Sequence, residues 1–103
     1  MARKTTKLCV ALDGMTMNRA WEIAAQLQGL VWGFKFNDLI ATHGFTEVYE
    51  IFGKSGKVFA DVKAHDIPTT TANIVRSLAR TGASIVTVHA AGGKETIAAA
   101  AQA

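Results

Sequence analysis

The sequence has a single cysteine, a single proline and no apolar run of membrane length. One thiol cannot form an internal disulfide. Cys9, within Leu8-Cys9-Val10-Ala11-Leu12, is expected to be a small buried hydrophobe in a reducing compartment. No stretch approaches the ~18 apolar residues of a membrane span, and no signal-peptide apolar segment opens the chain. The reading is therefore a soluble, cytoplasmic protein with no membrane partner. Charge excess is also small, with 11 Lys and Arg against 8 Asp and Glu for a net +3. Apart from Arg3, Lys4 and Lys7 the basic residues are scattered, which leaves no nucleic-acid footprint. None of the three histidines pairs with another at metal-ligand spacing, so no metal site is expected.

What is present is apolar and periodic. A chain of 103 residues, half of them apolar, suffices for one small domain with a real core. Lys7 to Leu12 reads as a buried strand followed by an Asp13-Gly14 turn. Asn18 is placed to cap a helix through Gln28, with Ala20, Ile23, Ala24 and Leu27 on one face and Gly29 as its stop. Leu30 to Phe36 is the second strand, and a helical segment from Asp38 to Phe52 follows, broken near Gly44. Lys57 to Val62 is the third strand, closed by Ile67-Pro68. Thr69 to Thr81 is a helix that should bury Ile74, Val75 and Leu78, with Gly82 as its C-terminal stop. Ala83 to His89 is the fourth strand, and Gly92-Gly93 opens an alanine-rich helix to the last residue. The class is α/β: four strand–helix units with parallel strands and right-handed crossovers. That is half of an eight-unit (β/α)8 TIM barrel, so the whole of 1–103 is expected to be one partial-barrel domain, the N-terminal half of something larger.

The polar residues fall at one place in every unit. Asp13, Lys35, Asp61 with Lys63, and His89 all lie at C-terminal strand ends, the edge where ligands bind in barrels and open sheets alike. The densest cluster is Asp61-Val62-Lys63-Ala64-His65-Asp66, a D-x-K-x-x-D array at the end of a buried strand. Charges there cost several kcal/mol each in desolvation, which a stability role rarely recovers but a catalytic field can use. Period two along a strand places Asp61 and Lys63 on one face. Asp66, past the strand end, either turns back toward the lysine or points at a neighbouring subunit. Lys35, between Phe34 and Phe36, needs a carboxylate partner, and Asp61 on the adjacent strand is the candidate. Asp13 serves either as a turn former or as a contact to a substrate hydroxyl. His89 either meets ligand or satisfies local backbone groups. His65 and His43 read as exposed, and Gly92-Gly93 is too short a signal for a phosphate site.

These motifs resemble the orotidine 5′-monophosphate decarboxylase family. The similarity covers Val10-Ala11-Leu12-Asp13, Gly33-Phe34-Lys35, Asp61 through Thr70, and Val88-His89, with D-x-K-x-x-D-I-P-x-T as its most specific part. The resemblance implies a catalytic array of Lys35, Asp61, Lys63 and Asp66. It also implies Asp13 as a ribose-hydroxyl ligand, with Ile67, Thr70 and His89 among the substrate-binding positions. Asp66, Ile67 and Thr70 would be contributed across the interface of a homodimer with shared active sites. The implied substrate is a small nucleotide, decarboxylated to UMP without any cofactor. Asp61 would crowd the substrate carboxylate, while Lys63 would stabilise the carbanion at carbon 6 and then protonate it.

Two departures are visible. The family takes its phosphate-gripping arginine from the second half of the barrel, so this chain alone is expected to be weak or inactive. The continuation Phe36-Asn37-Asp38 is also more polar than the resemblance suggests. Two alternatives stand beside it. One is a sugar-phosphate decarboxylase or aldolase of the 3-keto-gulonate-phosphate type, which would use magnesium and carry an acidic residue on strand two. The other is a non-catalytic, self-associating half-barrel. Lys35 and Ile67-Pro68-Thr69-Thr70 favour the orotidine branch.

Overall fold

The computed structural model describes residues 6–103; Arg3 and Lys4, noted above for their charge, lie outside that range. Four strands, β1 (Cys9–Ala11), β2 (Gly33–Phe36), β3 (Lys57–Ala64) and β4 (Ile85–Val88), form one parallel sheet in the order β1-β2-β3-β4. Between them run α1 (Met17–Leu27), the pair α2 (Asp38–His43) and α3 (Phe45–Phe52), and α4 (Pro68–Thr81). A 3-10 turn at Ala90–Gly92 leads from β4 into α5 (Lys94–Gln102). A doubly wound sheet would reverse its order at a switch point; here every strand lies beside its sequence neighbour. Right-handed crossovers then put all helices on one face, which is the arrangement of a barrel arc. Among the described residues no helix is long and apolar enough to cross a membrane.

The register divides the sheet into two faces. Val10, Phe34 and Val58 stand in one row, and Phe36, Ala60 and Val86 in another. These rows meet the helices, and Phe34, Phe36, Val58 and Ala60 are buried with Leu12, Ala24, Val48 and Phe52. The Phe36 and Phe52 rings lie 4.6 Å apart in a tilted pair. The alternate row, Ala11, Lys35, Phe59 and Ile85, faces the other way and is nowhere fully buried. Cys9 belongs to this open face, paired with Gly33, and is exposed rather than buried. The apolar run around it was a sound strand signal, but period two sends Cys9 away from the helices.

Local signals set most element ends, with three corrections. Thr16, not Asn18, caps α1, its hydroxyl accepting from the Arg19 N–H at 3.1 Å. α4 buries Thr71, whereas Ile74, Val75 and Leu78 are half-buried, because α4 packs chiefly on α5 and only lightly on β4, β3 and α3. β3 continues to Ala64 rather than ending at Val62, and β1, β2 and β4 are shorter than the apolar runs that contain them. The expected break near Gly44 is real, and its φ of 82° lies in the region that glycine enters without strain. Pro68 occupies the first turn of α4, where its missing N–H costs nothing.

Gly33 makes a testable point of contact between β2 and β3. A β-carbon there would sit inside the contact distance of the Lys57 carbonyl, a main-chain atom that cannot swing aside. Gly33→Ala is expected to cost about 1–3 kcal/mol of stability through overpacking. An unchanged urea midpoint would show that the two strands part more easily than this register implies.

Candidate active site

The site forms where the open face of the sheet meets the C-terminal strand ends. Lys35, second from the end of β2, reaches two carboxylates, Asp13 Oδ2 at 2.8 Å and Asp61 Oδ2 at 3.2 Å. Lys63 Nζ meets the same Asp61 Oδ2 at 2.7 Å. One aspartate oxygen thus joins two ammonium groups. The run along the open face is Asp13, Lys35, Asp61, Lys63, with alternating sign. Exposure grades along it: the Asp61 side chain is 9% exposed and that of Lys63 59%, so the aspartate is the fixed centre and the lysine the accessible end.

Asp61 is held on every side. Thr87 Oγ1 donates to its Oδ1 at 2.7 Å, and Asn37 Nδ2 donates to its main-chain carbonyl at 2.6 Å. The Lys63 hydrogen bond, then that of Thr87, with Lys35 adding to them, brings the Asp61 carboxyl down from 3.8 to about 2 although burial opposes the charge. Lys35 is shifted upward, first by its bond to Asp13 and further by Asp61, against the effect of burial. Asp61 and Lys35 therefore keep their charges across the neutral range.

β3 reaches this geometry by leaving regular pairing. Ala60 pairs with Val86 and Ala64 with Val88, so four steps on β3 match two on β4. Lys63 within that bulge has a φ of 48°, the only positive value among the described non-glycine residues. A lysine there stores strain on the order of 1–3 kcal/mol, and such strain gathers at functional sites. The close approach of Asp61 and Lys63 expected from strand alternation is observed, but an irregular strand produces it.

The other expected residues lie nearby in different roles. Asp13 is more than a turn former: besides Lys35 it accepts from the Asn37 N–H at 2.9 Å, while Gly14 N–H donates to Asp38 Oδ2 at 3.0 Å. His89 Nδ1 accepts from the Ala91 N–H at 3.1 Å, the local backbone role, and its ring stacks on His65 at 4.7 Å. His43 is exposed beside Glu47 at 3.0 Å. Asp66 is not brought to Lys63; its Oδ1 accepts from the Ile67 N–H at 2.7 Å, and among the described residues it forms no ion pair. Its carbonyl, in contrast, accepts from the hydroxyls of Thr71 at 3.1 Å and Thr96 at 3.5 Å. The main chain is pinned while Asp66 and Ile67 face outward, Ile67 being 65% exposed and Thr70 half-buried at the start of α4. A cleft of about 500 Å³ lies beside them, bounded by His65, Pro68 and Gly92.

Two site residues, Thr87 and Asn37, went unrecognised as such in the sequence. Thr87 is the one polar side chain in Ile85-Val86-Thr87-Val88, and that break in an apolar strand was the available signal. Asn37 stands out in the sequence only as a polar continuation of β2. Among the described residues no three His, Cys, Asp or Glu side chains gather to hold a metal ion.

Comparison with known proteins finds one recurring family name. The profile of the orotidine 5′-phosphate decarboxylase / HUMPS family matches residues 6–103. The chain is 39% identical over 99 residues to orotidine 5′-phosphate decarboxylase of Synechococcus sp. (strain CC9311), covering 96% of this chain and 41% of that protein. It is 42% identical over 94 residues to the same-named protein of Parasynechococcus marenigrum (strain WH8102), covering 91% and 38%. The crystal structure of orotidine 5′-monophosphate decarboxylase from Methanocaldococcus jannaschii superposes with a TM-score of 0.78 at 27% identity, over 93% of this chain and 48% of that one. The chain thus spans about two fifths of the length of the curated relatives it matches.

The titration of Asp61 yields a prediction with a definite sign. Its folded pKa lies below its unfolded value, so the stability it contributes is fully present above about pH 4 and is lost as pH falls toward 2. The amount is about 2 kcal/mol. Asp61→Asn should be less stable than the parent near neutrality and lose less on acidification, compared by urea midpoints. Parallel acid profiles for the two proteins would refute it.

Proposed function

The chain belongs to the orotidine 5′-phosphate decarboxylase / HUMPS family, and on that premise we propose that the protein decarboxylates orotidine 5′-monophosphate to UMP and carbon dioxide. The observation that carries the reading is Lys63, an accessible ammonium fixed against a buried carboxylate at the C-terminal edge of the sheet. Loss of carbon dioxide from an aromatic ring carbon leaves an electron pair that needs a preorganised positive charge and then a proton. Lys63 supplies both. Asp61, ionised well below neutrality, sets negative charge beside the substrate carboxylate, a ground-state strain relieved as that carboxylate departs. Lys35 balances Asp61 from behind, and Asp13 beside it is placed for a ribose hydroxyl. Lys35 on β2, where the sugar-phosphate branch would carry an acid, supports the orotidine reading.

The site is completed in trans in this reading. Asp66 and Ile67 face outward from a pinned main chain with Thr70 half-buried one turn on, which suits donation to the site of a second copy in a homodimer. His89 borders the same edge of the sheet, its ring stacked on His65, and is a substrate-binding position in this reading. The protein works in the cytoplasm on a nucleotide substrate.

Lys63→Ala should abolish turnover of orotidine 5′-monophosphate while leaving the fold cooperative. Activity within about tenfold of the parent, a barrier change of roughly 1.4 kcal/mol, would overturn the assignment. The shared site has its own test. Lys63→Ala and Asp66→Asn copies, each inactive alone, should regain activity when mixed, since about a quarter of sites then combine intact halves. Mixtures no more active than their components would place Asp66 in its own subunit's site.

A further inference from the structure

The charged array is held by a side chain that carries no charge. Thr87 Oγ1 accepts the Lys63 N–H at 3.0 Å and donates to Asp61 Oδ1 at 2.7 Å. A hydroxyl has one proton, so these two contacts fix its direction: toward the carboxylate, with a lone pair toward the amide. The bulge in β3 removes Lys63 from the ladder with β4, and an N–H in that position needs a new acceptor. Thr87 provides it from the facing strand. The same hydroxyl occupies Oδ1 of Asp61, which leaves Oδ2 for both ammonium groups.

We propose that Thr87 is a positioning residue for the decarboxylation, its hydroxyl clamping the strained Lys63 main chain and the Asp61 carboxylate as one unit. The proposal rests on the decarboxylase reading for the chemistry, while the clamp itself is a property of the chain. Thr87 touches Lys63 only at the main chain, so it acts on where the ammonium stands and not on substrate binding. Thr87→Val keeps the branched shape and removes both hydrogen bonds. It leaves a strained N–H and a carboxylate oxygen unpartnered.

The test combines spectroscopy with kinetics on the protein and its Thr87→Val and Thr87→Ser variants. Thr87→Val should expose the Lys63 amide to hydrogen exchange and move the Asp61 carboxyl midpoint upward by carbon-13 NMR. Its kcat should fall about a hundredfold with KM within about threefold, the pattern of misplaced rather than missing catalytic groups. Thr87→Ser keeps the hydroxyl and should restore all four quantities. The clamp is overturned by a Thr87→Val protein with the parent's exchange and midpoint, or by Thr87→Ser behaving like Thr87→Val. If Thr87→Val does not fold, exchange in the parent and the serine variant decides: a Lys63 amide as labile as exposed loop amides refutes the clamp, and a protected one supports it. Spectroscopic changes with an unaltered kcat overturn the catalytic role. A parent protein that holds the clamp yet leaves orotidine 5′-monophosphate untouched, even with the second half of the barrel supplied, instead overturns the decarboxylase reading.

Discussion

A single carboxylate oxygen, Oδ2 of Asp61, accepts from two lysines at once, and the geometry of the sheet follows from accommodating that demand. A buried carboxylate is costly unless it is paired and its remaining lone pairs are filled. Here β2 supplies Lys35, β3 supplies Lys63, β4 supplies Thr87, and Asn37 just beyond β2 takes the main-chain carbonyl. The register is constrained accordingly. A slip of one residue between β2 and β3 would turn Lys35 into the helix-facing layer and Phe34 or Phe36 out of it, so core packing and charge pairing enforce the same alignment.

The fold was largely legible in the chain because its signals are local. Apolar runs, glycine stops and Ile67-Pro68 mark the alternation, and alternation of this kind permits few topologies. The sign pattern of Lys35, Asp61 and Lys63 was legible for a similar reason: charges in apolar strands have few explanations. Other features were not. The exposure of Cys9 depends on which face of a three-residue strand meets the helices, and Leu8-Cys9-Val10-Ala11-Leu12 is apolar on both faces. Thr16 and Asn18 lie two residues apart and are both of a type that caps, so residue type alone does not identify the Thr16 cap. The bulge at Lys63 and the partnership of Asp13 with Lys35 arise from pairing between strands, which no window of sequence contains.

The Asp66 segment follows a different rule from the rest of the site. Asp61 is restrained through its side chain, whereas Asp66 is restrained through its carbonyl and leaves its carboxylate outside the array. The hydroxyls of Thr71 and Thr96, both buried, tie that carbonyl to α4 and α5. The direction in which this loop presents its acidic and apolar side chains is therefore set by helix packing rather than by the charges of the neighbouring strand ends.

Most polar bonds that join neighbouring units at the site share nearly one measure. Gly14 to Asp38, Asn37 to Asp13, Asn37 to Asp61 and Lys63 to Thr87 each close 24 residues, and Lys35 to Asp61 and Thr87 to Asp61 each close 26. Each interval is one strand–helix unit, so none of these contacts awaits a pairing between distant parts of the chain. Loop-closure entropy grows only with the logarithm of loop length, and equal intervals make the successive closures nearly equal in cost. The array can thus be laid down in chain order, with each new strand completing the contacts of the one before it.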